Sequence, residues 1–158
     1  MSHTVDDQQQ GRSAVQKGAV VVGVVFLLVG VLGFVPGVTT DYSRLALAGH
    51  HSEAQLLGLF QVSVLHNVLH LGFGVAGLLL ARTALRARNY LLYGGFVYAL
   101  LFFYGVVVDY ESKANLVPLD DADNVLHFVL AAGMIALSVL LDRGPGWERV
   151  VRQGRAQV

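Results

Sequence analysis

The chain has 158 residues, of which 54% are hydrophobic and 14% are charged, and its formal net charge is zero. Such a small share of charged residues cannot cover the water-facing sides of four amphipathic helices, so the composition excludes an ordinary soluble domain and predicts a membrane protein. Nucleic acid is not an expected partner, because anionic lipid accounts for the basic residues of a membrane protein's cytoplasmic face. Because the sequence contains no cysteine, disulfides, thiolate metal sites and covalently attached c-type haem are excluded.

Four windows contain no charged residue and are each long enough to cross a bilayer as a helix: 18–40, 54–81, 89–108 and 124–141. A helix rises about 1.5 Å per residue, and the hydrocarbon core is about 30 Å thick. Continuous apolar runs also argue against the alternating strands of an outer-membrane barrel. The sequence therefore predicts an all-α fold, a four-transmembrane-helix bundle at residues 17–142. Residues 1–16 are predicted to form a disordered tail, and residues 143–158 a second tail.

Two predicted helix starts carry recognisable capping residues. Ser52 and Gln55 have the spacing of a capping box and are predicted to begin the second helix. Asp120, Asp121 and Asp123 place acidic groups where the fourth helix should begin, and acids are favourable at the positive end of a helix dipole.

The basic residues are distributed unevenly around the predicted spans. Nine of the eleven lie before the first span, between the second and third, or after the fourth, whereas Arg44 and Lys113 lie in the other two loops. Because cytoplasmic loops are enriched in Lys and Arg, both termini are predicted to be cytoplasmic, with the loops around Ser43 and Ser112 outside. The expected location is the bacterial cytoplasmic membrane, and the lipid bilayer is the expected partner of the basic face.

One four-residue motif occurs in two of the predicted spans, first as Asn67-Val68-Leu69-His70 and again as Asn124-Val125-Leu126-His127. Polar groups in hydrocarbon need partners, so both copies are predicted to face the interior of the bundle. The first and second pairs of spans run in the same in-to-out-to-in order, which predicts two parallel helix-pair repeats. Small residues at three- and four-residue intervals indicate close helix packing, notably at Gly30, Gly33, Gly74 and Gly77.

The histidines allow more than one interpretation. His66 and His70 are four residues apart on one helical face, so with His127, and with Asp123 as a fourth ligand, they could bind a transition metal. A b-type haem would instead need axial histidines from different helices. We favour a structural latch, in which the polar cluster hydrogen-bonds between helices two and four; its members are Asn67, His70, Asn124 and His127. Transport is the least favoured use, because no span is broken or contains an acid.

Three segments resemble a bacterial four-transmembrane family known as domain of unknown function 4383: Gly33 to Gly37 (GFVPG), Leu56 to Thr83 (LLGLFQVSVLHNVLHLGFGVAGLLLART), and Asn115 to Phe128 (NLVPLDDADNVLHF). The resemblance covers about residues 17–142. It implies a small multi-pass membrane protein, and it implies no activity, ligand or catalytic residue.

The sequence gives no positive support for an enzyme, since the spans contain no nucleophile elbow, phosphate-binding loop or paired catalytic carboxylates. We therefore expect a structural or accessory protein of the membrane. A homo-oligomer or a membrane-complex partner fits that role. The competing hypothesis is a small redox subunit that binds haem or a metal through His66, His70 and His127.

Overall fold

The computed structural model describes residues 11–141, so the predicted tail at 143–158 and most of the tail at 1–16 lie outside the described residues. Within that range four α-helices form: α1 (Ala14–Leu32), α2 (Val64–Leu80), α3 (Ala84–Val107) and α4 (Asp121–Leu140). Three of them, α1, α3 and α4, are long and apolar enough to cross a membrane, and α2 is an apolar helix of 17 residues. The prediction of a predominantly helical bundle is confirmed.

The helices pack as two antiparallel hairpins, α1 with α2 and α3 with α4, and contacts between the hairpins are sparser than contacts within them. The two long connections, residues 33–63 and 108–120, lie at one end of the bundle, which we call the loop end. The short connection at residues 81–83 lies at the opposite end, the turn end. There Gln16 joins the start of α1 to the end of α2, since its Nε2 donates to the carbonyl oxygens of Ala81 and Arg82, each at 3.0 Å.

The start of α1 lies before the predicted boundary. The backbone N–H and the hydroxyl of Ser13 both donate to Oε1 of Gln16 at 3.0 Å, and the helix begins at Ala14. Residues 14–16 are therefore helical and not part of a disordered tail. At the start of α4 the predicted acids are in place, because Asp120 accepts from the backbone N–H of Asp123 at 2.8 Å.

The start predicted for the second helix is wrong. Ser52 and Gln55 do not cap it; α2 begins at Val64, where the Ser63 hydroxyl accepts from the backbone N–H of His66 at 3.1 Å. The apolar window at 54–81 had indicated one continuous helix. Hydropathy alone cannot separate a short buried extended segment from a helix, so the window merged the two.

The all-α prediction also missed a small antiparallel sheet at the loop end. Its strands are β1 (Thr39–Thr40), β2 (Gln55–Leu56) and β3 (Phe60–Gln61), in the order β1-β2-β3. The turn between β2 and β3 contains Leu57 and Gly58, whose φ angles are 57° and 66°. Backbone in this left-handed region cannot continue a right-handed helix, which explains why the helix starts later.

The loop end is closed by hydrogen bonds among its own segments. The hydroxyl of Ser52 accepts from the backbone N–H of Ala46 at 3.1 Å and donates to the carbonyl oxygen of Val62 at 2.5 Å. The two long connections also meet, because the Gly49 N–H donates to the carbonyl oxygen of Leu116 at 2.7 Å. These bonds hold the sheet over the ends of the helices as a cap.

Candidate functional site

The repeated asparagines and histidines of α2 and α4 lie toward the inner faces of their helices. Three- and four-residue intervals keep such residues on one side of a helix. The buried residues of α2 are His66, Asn67, His70, Gly74 and Gly77, and those of α4 are Asp123, His127, Ala131, Met134 and Ser138. Asn124 is half-buried.

Asn67 packs against the neighbouring helix of its own hairpin. Its side chain is fully buried and lies so close to Gly33, the C-cap of α1, that a Cβ added at Gly33 would overlap the carboxamide. Next to this contact, Gly30 faces the backbone of α2, since an added Cβ would be 3.0 Å from the carbonyl oxygen of Asn67. The α1–α2 interface therefore requires small residues opposite the amide.

The second hairpin contains the same kind of contact. Asn124 of α4 lies against Gly105 near the end of α3, and a Cβ added at Gly105 would overlap the Asn124 carboxamide. In the part of the chain that the structure describes, no hydrogen bond joins Asn67 or Asn124 to His70 or His127. The proposed Asn/His latch therefore has no direct hydrogen bond here, because each asparagine lies against its own hairpin partner.

Glycines also bring the backbones of α1 and α2 together further along the hairpin. A Cβ added at Gly74 would be 2.7 Å from the carbonyl oxygen of Gly23 and 2.8 Å from the backbone nitrogen of Leu27. A Cβ added at Gly77 would be 2.9 Å from Cα of Gly23. This close packing fixes the position of α2, and so of its histidines, against α1.

The three histidines considered as ligands come together near the loop end, and we call His66, His70 and His127 the histidine group. The ring centres of His66 and His70 are 4.4 Å apart, and those of His66 and His127 are 6.5 Å apart. All three side chains are buried. Aromatic rings pack beside them, with Phe26 at 5.5 Å from His70 and Tyr98 at 5.4 Å from His127.

The hydrogen bond of His66 identifies its tautomer. Its Nδ1 lies 3.2 Å from the carbonyl oxygen of Gln61. A carbonyl oxygen can only accept, so Nδ1 carries a proton, and in the neutral ring Nε2 then keeps a lone pair. Nδ1 of His70 and Nδ1 of His127 are buried and have no hydrogen-bond partner among residues 11–141. The acceptor that the group offers to a further molecule is therefore Nε2 of His66.

Two cavities adjoin the histidine group, and all three histidines line both. One has a volume of about 220 Å³ and lies between α2 and α3, where Leu69 and Val97 form part of its wall. The other has a volume of about 170 Å³ and lies between α1 and α4, where Val29 and Leu130 line it beneath Leu57 of the cap. The histidines therefore lie between two cavities, one at the interface of α2 with α3 and the other at the interface of α1 with α4.

Asp123, proposed as a fourth ligand, has a structural partner. Its Oδ2 accepts from the backbone N–H of Gln61 at 3.0 Å and so joins β3 to the start of α4. Among residues 11–141, no group of three or more His, Cys, Asp or Glu side chains is arranged to hold one metal ion. Gln61 contacts both neighbours of this region, since its N–H donates to Asp123 and its carbonyl oxygen accepts from His66.

Sequence reasoning missed several residues that build this region. Gly105 and Gly95 of α3 allow α4 to pack close to the α3 backbone. An added Cβ at Gly95 would be 3.1 Å from the carbonyl oxygen of Ala131. Phe26 and Tyr98 form the aromatic layer beside the histidines, with ring centres 5.3 Å apart. The Gly94-Gly95 pair was a usable signal, since two glycines within an apolar span indicate close helix packing.

A family profile described as Domain of unknown function (DUF4383) matches residues 16–140 of the chain. The chain belongs to this family. The match includes α2, α3, α4 and all but the first residues of α1, and it confirms the resemblance carried by the three sequence segments. No curated protein and no solved structure matches the chain.

Proposed function

We propose that the protein is a structural or accessory multi-pass protein of the bacterial cytoplasmic membrane and is not an enzyme. The observation that carries this proposal is the asparagine–glycine contact that occurs in both hairpins, Asn67 with Gly33 and Asn124 with Gly105. A polar residue used twice for helix packing needs no catalytic explanation. The same correspondence supports the interpretation of the hairpins as parallel repeats.

The apolar outer surface of the bundle supports a role within the bilayer. Large apolar side chains cover the outward faces of the helices, with Leu100 and Val107 being 70% and 79% exposed. Such faces are favourable against lipid or against another membrane helix, so the bilayer, a second copy or a membrane complex is the proposed partner. Nucleic acid is not a proposed partner.

The proposed orientation places both termini in the cytoplasm and the loop end outside. The turn end carries Arg82, Arg86 and Arg88, whereas the two basic residues of the loop end are Arg44 and Lys113. This distribution supports the positive-inside assignment.

Single-cysteine labelling tests the orientation, because the chain has no cysteine of its own. In intact cells, a membrane-impermeant maleimide should label Ser43→Cys and Lys113→Cys but should not label Leu85→Cys. Leu85 lies at the turn end and is 67% exposed, so it should become reactive once the cells are permeabilised. Labelling of Leu85→Cys in intact cells, with both loop-end positions protected, would reverse the orientation.

A second candidate function is a small redox subunit that binds b-type haem or a transition metal. The specific observation in its favour is the convergence of three buried histidines from two helices beside two cavities. Histidines from α2 and α4 could supply axial ligands from different sides of a ring. The redox function predicts that the purified protein contains haem or metal, and the accessory role predicts that it does not.

The cofactor content of protein purified from its native membrane distinguishes the two functions. The accessory role predicts no Soret absorbance and less than stoichiometric metal in the wild-type protein and in His70→Gln and His127→Gln. Glutamine keeps hydrogen bonding but is a poor ligand for haem or transition metals. A Soret band or one metal per chain that is lost in both variants and retained in His51→Gln, a loop control, would establish the redox role instead.

A further inference from the structure

We propose that the histidine group binds the oxygen-bearing ring of a membrane-soluble quinone or quinol, whose apolar tail lies in the seam between α2 and α3. This inference goes beyond the accessory role and requires neither haem nor metal. It concerns binding and includes no electron-transfer step.

The seam between α2 and α3 contains two adjoining cavities that could hold the apolar tail of such a molecule. A further cavity of about 370 Å³ lies in the same seam toward the turn end, with Ala76, Leu80 and Tyr90 in its lining. It shares Phe73 and Val97 with the 220 Å³ cavity beside the histidine group, so the two adjoin. Together they fall in the range of about 300–1,000 Å³ that is usual for ligand pockets.

The entrance to this path faces lipid. Leu69 and Val97, on opposite sides of the seam, are 51% and 47% exposed on the outward faces of their helices. The two hairpins also contact each other sparsely along α2 and α3. A molecule that enters here arrives from the bilayer, so it must be lipid-soluble and must offer a long apolar portion to the seam.

The chemistry at the end of the path selects the head of that molecule. All three histidines line the cavity at the end of the path, and Nε2 of His66 can accept a hydrogen bond there. Imidazole nitrogens that line an otherwise apolar cavity need hydrogen-bond partners, so a molecule that supplies carbonyl or hydroxyl oxygens is stabilised here. A quinone ring carries carbonyl oxygens on opposite edges, and its quinol carries hydroxyl groups in the same places.

The apolar neighbours of the histidines favour a flat ring over a charged head group. Phe26, Phe73 and Tyr98 form an aromatic layer, with Phe26 at 4.8 Å from Phe73 and 5.3 Å from Tyr98 between ring centres. Aromatic rings prefer offset or edge contacts with other rings. The linings of the two cavities beside the histidine group contain no Lys or Arg, whereas Arg86 lines the far end of the seam. A phospholipid would place its phosphate near Arg86 and leave the histidines unpaired.

Quinone binding to protein in lipid nanodiscs tests the proposal. The probe is a naphthoquinone with a short prenyl tail, and bound quinone per protein is measured by absorbance after extraction, with empty nanodiscs as the background. One quinone per wild-type chain is expected. The variants His70→Leu and His127→Leu should each bind about tenfold more weakly, which corresponds to one lost hydrogen bond of about 1.4 kcal/mol. The corresponding glutamine variants should stay near wild type, which a haem site would not allow.

A second pair of variants keeps the test decisive if the leucine variants fail to fold. Val97→Phe should block the seam and weaken binding, because this partly exposed residue lines both cavities. Val106→Phe is the control, since Val106 is on the same helix and is 60% exposed outside these cavities.

Binding no greater than in empty nanodiscs, or binding unaffected by Val97→Phe and both leucine variants, would overturn the proposal. Dependence on Arg86 instead of the histidines, tested with Arg86→Gln, would also overturn it and identify a phospholipid site. These outcomes are separate from the Soret and metal measurements, so the accessory role can fail while quinone binding stands, and the reverse.

Discussion

Replacing Gly74 with leucine should strongly destabilise the protein in detergent, whereas the same replacement at Gly72, two residues earlier, should leave stability close to wild type. At Gly74 even a Cβ would lie 2.7 Å from the Gly23 carbonyl oxygen and 2.8 Å from the backbone nitrogen of Leu27. Backbone atoms cannot rotate away as a side chain can, so α1 and α2 would have to separate. A Cβ at Gly72 meets nothing within 4 Å.

The alanine variants give a graded form of the same comparison. Overpacking of this kind costs about 1–3 kcal/mol, so Gly74→Ala should lower the free energy of unfolding by that amount. Gly72→Ala should raise it by up to about 1 kcal/mol, because alanine is the better helix former. Thermal and denaturant unfolding measure both. Equal stability of the Gly72 and Gly74 variants would contradict the close approach of α1 and α2.

Removing the Asp123 carboxyl should release the cap from the bundle. Asp123→Ala leaves the Gln61 N–H without its acceptor and should reduce the free energy of unfolding by about 1–3 kcal/mol. Asp123→Asn keeps an oxygen acceptor and should lose clearly less. The control is Asp121→Ala in the same helical turn, where an exposed acid at a helix start is worth about 0.3–1 kcal/mol.

Amide hydrogen exchange locates the effect of the Asp123 substitution. Faster exchange should appear at β2 and β3 in Asp123→Ala, while the middle of α2 should keep its wild-type protection. Exchange that rises throughout the bundle, or that rises equally in Asp121→Ala, would mean that the Gln61–Asp123 bond does not secure the cap.

The helices and their inner faces were predictable because both depend on local order in the sequence. The 3.6-residue period alone places Asn67, His70 and Gly74 on one face of α2, whatever that helix packs against. The acidic start of α4 was equally local, since Asp120 caps the N–H of Asp123 only three residues later. Charge-free windows likewise found four helical segments.

The partners of those residues were not predictable, because they depend on how the helices associate. The repeated motif suggested that Asn67 and Asn124 would hydrogen-bond with the histidines between helices two and four, but each asparagine lies against a glycine of its own hairpin, Gly33 or Gly105. Hydropathy also placed residues 54–63 in the second helix, where the positive φ angles of Leu57 and Gly58 turn the chain into a hairpin instead. Hydropathy averaged over a window of sequence indicates neither which side chains will contact each other nor where the backbone adopts a left-handed conformation.

Paired double-mutant cycles on the two asparagine–glycine contacts test the structural role most directly. Alanine fits the backbone of Gly33, whose φ is −62°, so Gly33→Ala should destabilise chiefly because its Cβ overlaps Asn67. Adding Asn67→Ala should remove most of that loss, and Asn124→Ala should do the same for Gly105→Ala. Both cycles should give coupling energies of about 0.5–3 kcal/mol, while Gly133→Ala with Asn124→Ala should be additive within about 0.5 kcal/mol, since nothing lies within 4 Å of a Cβ at Gly133. Coupling in both hairpins is the predicted result, and additivity in both would contradict the structural role of the repeated asparagines.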